Sequence, residues 1–223
     1  MRARARRDER GVTLIEAMVT VFVLSIVSVG FFSSFQSAER TSDGINQRLQ
    51  HLGEAQKLMR AATKDIRTAT SIQDGQSPFL IAKEREMTFY ANLGTAAGFT
   101  APVKVTLSVN TADPEAPTLI ETTQEANNPT ATPLVYGTKP IMTRFIGTYL
   151  FNNAAEPIFT YKDVNGTVLV ATGTGLSATD KMAVRSIAIK MKVKKSRGRP
   201  IGATTLQNTV RLPNVIYGVA PST

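Results

Sequence analysis

One carboxylate stands where a carboxylate is costly. Glu16 opens a stretch of 22 uncharged residues, Ala17 to Ala38, rich in Val, Phe, Leu and Ile. A helix needs roughly 20 such residues to cross a bilayer, so the stretch is long enough to span. An acid inside such a segment costs about 2.5–3.5 kcal/mol at the centre of the helix, which makes it a candidate functional group. Just before it, Gly11-Val12 follows an arginine-rich leader. A carboxylate buried there needs a counter-charge. The plain alternative is an ordinary signal anchor with Glu16 at the bilayer interface. A cleaved secretory signal fits less well, because its apolar region should be about 7–15 residues long and end in a small-residue site.

The run Gly11-Val12-Thr13-Leu14-Ile15-Glu16, with its basic leader and apolar sequel, resembles the processing site of type IV prepilins and pseudopilins. The resemblance implies cleavage after Gly11 by a prepilin peptidase on the cytoplasmic side and methylation of the new terminus at Val12. It implies that Glu16, the fifth residue of the mature chain, pairs with the terminus of a neighbouring subunit. Other pilins in a helical filament, an inner-membrane assembly platform and membrane lipid are the implied partners. Phe is usual where Val12 stands, and many major pilins have a Pro in the apolar segment, which is missing here. A looser likeness to PilW-type minor pilins and J-type minor pseudopilins of type II secretion rests on four stretches. They are Lys64 to Ala69, Tyr161 to Gly166, Val184 to Ile187 and Thr209 to Asn214.

Charge agrees with this orientation. The leader carries Arg2, Arg4, Arg6, Arg7 and Arg10 against Asp8 and Glu9, and the positive-inside rule holds such a terminus in the cytoplasm. The formal net charge is +9, and from Lys181 onward there are nine basic residues and no acid. Cysteine is absent, which excludes disulfides, thiolate metal sites and a cysteine nucleophile. The disulfide usual near the end of major pilins is therefore missing, and this favours a minor subunit.

Four segments follow: a cleaved leader over 1–11, a transmembrane or filament-core helix over 12–38, an amphipathic continuation over 39–77, and an extracytoplasmic β-rich domain over 78–223. The expected fold is α+β, with a long amino-terminal helix packed on an antiparallel sheet. Ser42-Asp43-Gly44 is a potential kink. Beyond it Ile45, Leu49, Leu52, Ala55, Met59, Ala62, Ile66 and Ala69 recur at spacings of three and four, which is one apolar helical face. His51, the only histidine, reads as a surface residue.

Strands are expected over 79–82, 87–91, 103–109, 118–123 and 145–151, with a loop-rich stretch between Pro102 and Pro140, where six prolines confine strands to edges. Asn165-Gly166 marks a hairpin between Phe159 and Val170. Asp163 and Asn165 could offer oxygens to calcium, but such a site wants six to eight oxygens and a second acid is missing locally. The strand Val184 to Lys195 alternates cleanly. Ile187, Ile189, Met191 and Val193 face the core, and Ala188, Lys190, Lys192 and Lys194 face outward.

With Lys195, Arg197 and Arg199 of the following turn, these lysines form a basic surface. The ordinary reading is a solvated face that discourages edge-to-edge association. The sharper readings are an acidic partner or DNA held through its phosphates. No aromatic is interleaved, so a base-stacking platform is not indicated. No nucleophile–base pair, histidine cluster or glycine-rich phosphate loop stands out, so the reading is structural rather than enzymatic. A membrane-anchored enzyme and a DNA-binding or adhesive module remain the alternatives, and no cofactor is expected.

Overall fold

A computed structural model describes residues 13–73, 75–94, 101–114, 116–153, 155–194 and 202–215. The chain is α+β and divides into two units, residues 1–47 and 48–223.

The first unit is helical. Helix α1 runs over Leu14–Arg67 and so extends into the second unit. Its β-branched and aromatic residues would be poor helix formers in water. In lipid, a helix is the way for a single segment to satisfy its own backbone. The hydroxyls follow the same logic. Ser25 donates to the Phe22 carbonyl at 2.7 Å, Ser33 to Gly30 at 2.9 Å and Thr41 to Ser37 at 3.0 Å. Each polar side chain is thus satisfied within the helix, which lets it sit among hydrocarbon. Ser42, Asp43 and Gly44 are helical and do not break the element.

The second unit carries the core. Ala55, Leu58, Met59, Ala62 and Ile66 of α1 are buried, whereas Leu49 stays exposed, so the buried part of the apolar stripe is shorter than its periodicity suggests. His51 is buried, contrary to its reading as a surface residue. It lies four residues before Ala55, in phase with the buried face. The helix ends at Arg67, where the Thr68 and Ala69 amides turn to carbonyls three residues back, at 3.1 Å each. That tightening is the usual finish of an α-helix.

Among the described residues, nine strands form two antiparallel sheets. The first is a meander of β1 (Phe79–Ala82), β2 (Glu86–Ala91), β3 (Val103–Asn110), β4 (Thr118–Ala126) and β5 (Tyr136–Gly147). The second has β6 (Phe159–Lys162), β7 (Val168–Leu169), β8 (Ser186–Val193) and β9 (Thr204–Arg211), in the order β7-β6-β8-β9. The expected strand over 145–151 is displaced: the chain pairs earlier, as β5, and β5 lies at the edge of its sheet. Pro140 falls in the register shift between Ile141 and Tyr136, where it has no partner on β4, and such an irregularity tolerates a residue with no amide hydrogen.

Gly147 is required by packing. A Cβ there would lie 2.6 Å from Oε1 of Glu54 and 2.9 Å from the Leu58 side chain. The two sheets are tied by the Phe159 amide, which donates to the Glu84 carbonyl at 3.0 Å, and by the Tyr161 hydroxyl, which donates to the Lys83 carbonyl at 2.8 Å. Burial raises the pKa of Tyr161, so it remains a neutral donor. A short helix, α2 (Ala178–Ala183), was not signalled by apolar periodicity; Ser177 caps it, its Oγ accepting from the Asp180 amide at 3.1 Å.

Candidate functional site

Thr13 begins the amino-terminal site. Its Oγ1 accepts the Glu16 amide at 3.3 Å, half of the reciprocal cap that Thr-x-x-Glu spacing provides. Glu16 lies in the first turn, where the helix dipole favours an anion, and it is exposed. Gly11 and Val12 lie outside the described residues.

Behind Glu16 the apolar side chains find no cover. Phe22 is 65% exposed, Leu24 64% and Phe31 74%. By length and composition α1 is the one helix among the described residues able to cross a membrane. An exposed apolar surface this long marks a segment whose native surroundings are lipid or other chains.

Half of the expected basic surface lies on β8 and its end. Lys190, Lys192 and Lys194 share the outward side of β8 and its end, but all three are half-buried rather than projecting freely. Lys192 forms an ion pair with Glu156. That bond lowers the Glu156 pKa. The Lys192 amide also donates to Asn152 Oδ1 at 2.9 Å, while the ammonium of Lys194 stands 5.0 Å from the centre of the Phe151 ring. Lys195, Arg197 and Arg199 lie outside the described residues. Ile187, Ile189, Met191 and Val193 are buried as the alternation indicates; Ala188, expected on the outward face, is buried as well, its small side chain being covered where the longer lysines reach out.

At the hairpin, Gly166 takes φ 83°, and Asp163 Oδ1 accepts the amides of Asn165 at 2.9 Å and Thr167 at 2.8 Å. The oxygen offered to a cation in the sequence is thus committed to the turn. No group of three potential metal ligands occurs among the described residues.

A cluster that sequence reasoning missed lies where α1 meets the edge of the first sheet. Asp65 of α1, Glu121 of β4 and Arg144 of β5 line an open cleft of about 340 Å³, with Lys64, Thr68, Leu93, Thr123, Met142 and Thr143. Arg144 forms an ion pair with Glu121, and its Nη2 lies 3.8 Å from Asp65 Oδ2. The Asp65 side chain is only 3% exposed, and Oδ2 has no hydrogen-bond partner. Two carboxylates here face one close guanidinium.

Burial first, then the hydrogen bond and charge of Glu121, push the Asp65 carboxyl up to about 7, against the pull of Arg144 and Lys64. The signal for Asp65 was present but unused. It falls three residues after Ala62 and four before Ala69, in phase with the buried stripe.

A family model described as the prokaryotic N-terminal methylation motif matches residues 6–32. No curated protein and no solved structure matches the chain. The matched segment contains Gly11, Val12 and Glu16 and most of the exposed apolar run. It supports a type IV pilin-like chain, a substrate for amino-terminal processing with a membrane-capable helix.

Proposed function

We propose that the chain is a minor pilin or pseudopilin, a structural subunit that helps initiate or cap a type IV pilus or a type II secretion pseudopilus. A prepilin peptidase removes residues 1–11 after Gly11, and the amine of Val12 is methylated. The amino terminus starts in the cytoplasm, and residues beyond the apolar run work outside. Residues 12–38 first cross the membrane and then enter the filament, exchanging lipid for neighbouring helices. Glu16 guides that exchange by pairing with the Val12 amine of a neighbour.

The carrying observation is the methylation motif over residues 6–32 at the start of a helix whose large apolar side chains from Leu14 to Phe35 are all exposed. A protein that worked alone through its β domain would have no use for both. The half-buried lysines of β8, one already paired with Glu156, favour a scaffold over a DNA-binding module.

Processing is the first test. Mass spectrometry of the membrane-extracted protein should find the mature chain beginning at Val12. Gly11→Glu should leave full-length precursor, because a bulky charged side chain cannot enter a site built for glycine. A start after Ala38 instead would indicate an ordinary secretory signal and refute the reading.

A further inference from the structure

The β6–β7 turn carries a motif that the filament reading leaves unused. Asn165-Gly166-Thr167 is the one Asn-x-Ser/Thr triplet in the chain apart from Asn128-Pro129-Thr130, where the proline bars it. Such a triplet is the acceptor sequence for asparagine-linked glycans, which sit on surface loops of exported domains. Triplets of this kind also arise by chance, so the geometry around the asparagine has to decide.

The two triplets differ in what their side chains are doing. Asn128 Oδ1 accepts both the Thr130 amide, at 3.1 Å, and the Thr130 hydroxyl, at 2.8 Å. At the hairpin Asp163 does that work instead: its Oδ1 accepts the amides of Asn165 at 2.9 Å and of Thr167 at 2.8 Å. The Asn165 carboxamide and the Thr167 hydroxyl are left without a hydrogen bond among the described residues, and both residues are exposed. These are the two side chains by which the triplet is defined, and Gly166 between them adds no side chain to hinder approach. Val164, Val168 and Val170 along the same hairpin are 78%, 50% and 76% exposed. A bulky, solubilising group at residue 165 would stand beside this apolar tip.

We propose that Asn165 is the acceptor for an asparagine-linked glycan, donated by an oligosaccharide carried on a lipid diphosphate. In the transfer, Nδ2 of Asn165 bonds to the anomeric carbon of the first sugar, and the bond from that carbon to the diphosphate oxygen breaks. The proton that Nδ2 loses ends on the released lipid diphosphate, so no oxidant or reductant is involved. The proposal rests on the reading that the β domain works outside the cytoplasm, because this modification belongs to exported chains. It also keeps the β6–β7 turn at the outer surface of any assembly, since a bulky glycan does not fit between packed subunits.

The test uses the full-length chain extracted from the membranes of its own host. Trypsin releases Asp163 to Lys181 as one peptide, and mass spectrometry should find it carrying sugar mass on Asn165. Asn165→Gln and Thr167→Ala should each abolish that addition, and Thr167→Ser should retain it. Asn165→Gln should leave the turn intact, because Tyr149 is the one non-glycine residue with positive φ among the described residues. An unmodified wild-type peptide would overturn the proposal, as would an addition that survives Asn165→Gln or Thr167→Ala.

Placement is read separately. The chain has no cysteine, so Val135→Cys, at a side chain 55% exposed, gives a single thiol for a membrane-impermeant maleimide added to spheroplasts. A chain that is labelled but carries no glycan would sink this proposal and spare the filament reading. A chain that is labelled only after lysis would sink both.

Discussion

Helix α1 carries one acid near its start and another near its end, Glu16 and Asp65, and their surroundings are opposite. Glu16 is exposed among apolar side chains that are exposed as well. Asp65 is buried against Glu121 and Arg144 within its own domain. A carboxylate inside a folded domain is answered by that domain, here by a guanidinium and by a raised affinity for protons. On the reading proposed above, a carboxylate on a segment without a core is answered from another chain. The difference would then separate residues that hold this protein together from residues that join it to others.

The largest effect should come from exchanging the same leucine chemistry between the two halves. Leu58 is fully buried, whereas Leu24 is 64% exposed. Leu58→Ala should lower the stability of the β domain by about 2–5 kcal/mol, from lost burial plus the cavity left behind. Leu24→Ala should leave that stability unchanged in urea melts followed by circular dichroism. Equal losses would mean that the first half of the helix belongs to the domain core after all.

Next comes the acid of the packed half. The Asp65 carboxyl has its pKa raised from 3.8 to about 7, so between those values the folded chain binds a proton that the unfolded chain releases. The stability tied to that proton is fully present below about pH 4 and is lost as pH rises through about 7. The slope can reach about 1.4 kcal/mol per pH unit for one proton. Asp65→Asn should therefore flatten the wild-type decline between pH 5 and 8 and should be relatively more stable at the alkaline end, each pH being roughly a unit inside or beyond the titration. An identical pH dependence in the two proteins would show that Asp65 is ionised throughout. Processing at Gly11 should be untouched.

A smaller effect is expected at the basic strand. Lys192→Glu loses the pair with Glu156 and sets two anions together, so it should lower the melting temperature, whereas Lys190→Glu, which makes no such contact, should lower it less. A thermal melt of each variant checks this, and a larger loss for Lys190→Glu would reverse the assignment. Charge reversal along this strand should therefore be tolerated least well at Lys192.

What was legible in the sequence followed from periodicity and from strong local signals. The uncharged run gave the apolar helix, alternation gave the inward row of β8, and Asn165-Gly166 gave the β6–β7 turn. Long-range pairing was not legible. Glu121 and Arg144 are 23 residues apart, and only the β4–β5 register brings them together. For the same reason β5 was placed too late: its start falls in the proline-rich stretch ending at Pro140 that reads as loop, and it becomes a strand because β4 offers it a ladder. The division of α1 was half legible, since the same apolar spacing covers Leu49, which is exposed, and Ala55, which is buried. Periodicity reveals a face but not what covers it.

The most direct test of the account is Glu16→Ala, expressed beside the wild-type subunit. Cleavage is followed by gel mobility, and each form is counted in sheared filaments. The substitution removes a charge that is costly in lipid, so membrane insertion and cleavage should be normal. A neighbour's amine left buried without its partner costs about 3–5 kcal/mol, so incorporation should fall well below wild type. Normal processing with wild-type incorporation would contradict the account and leave Glu16 as an interfacial residue with no part in assembly.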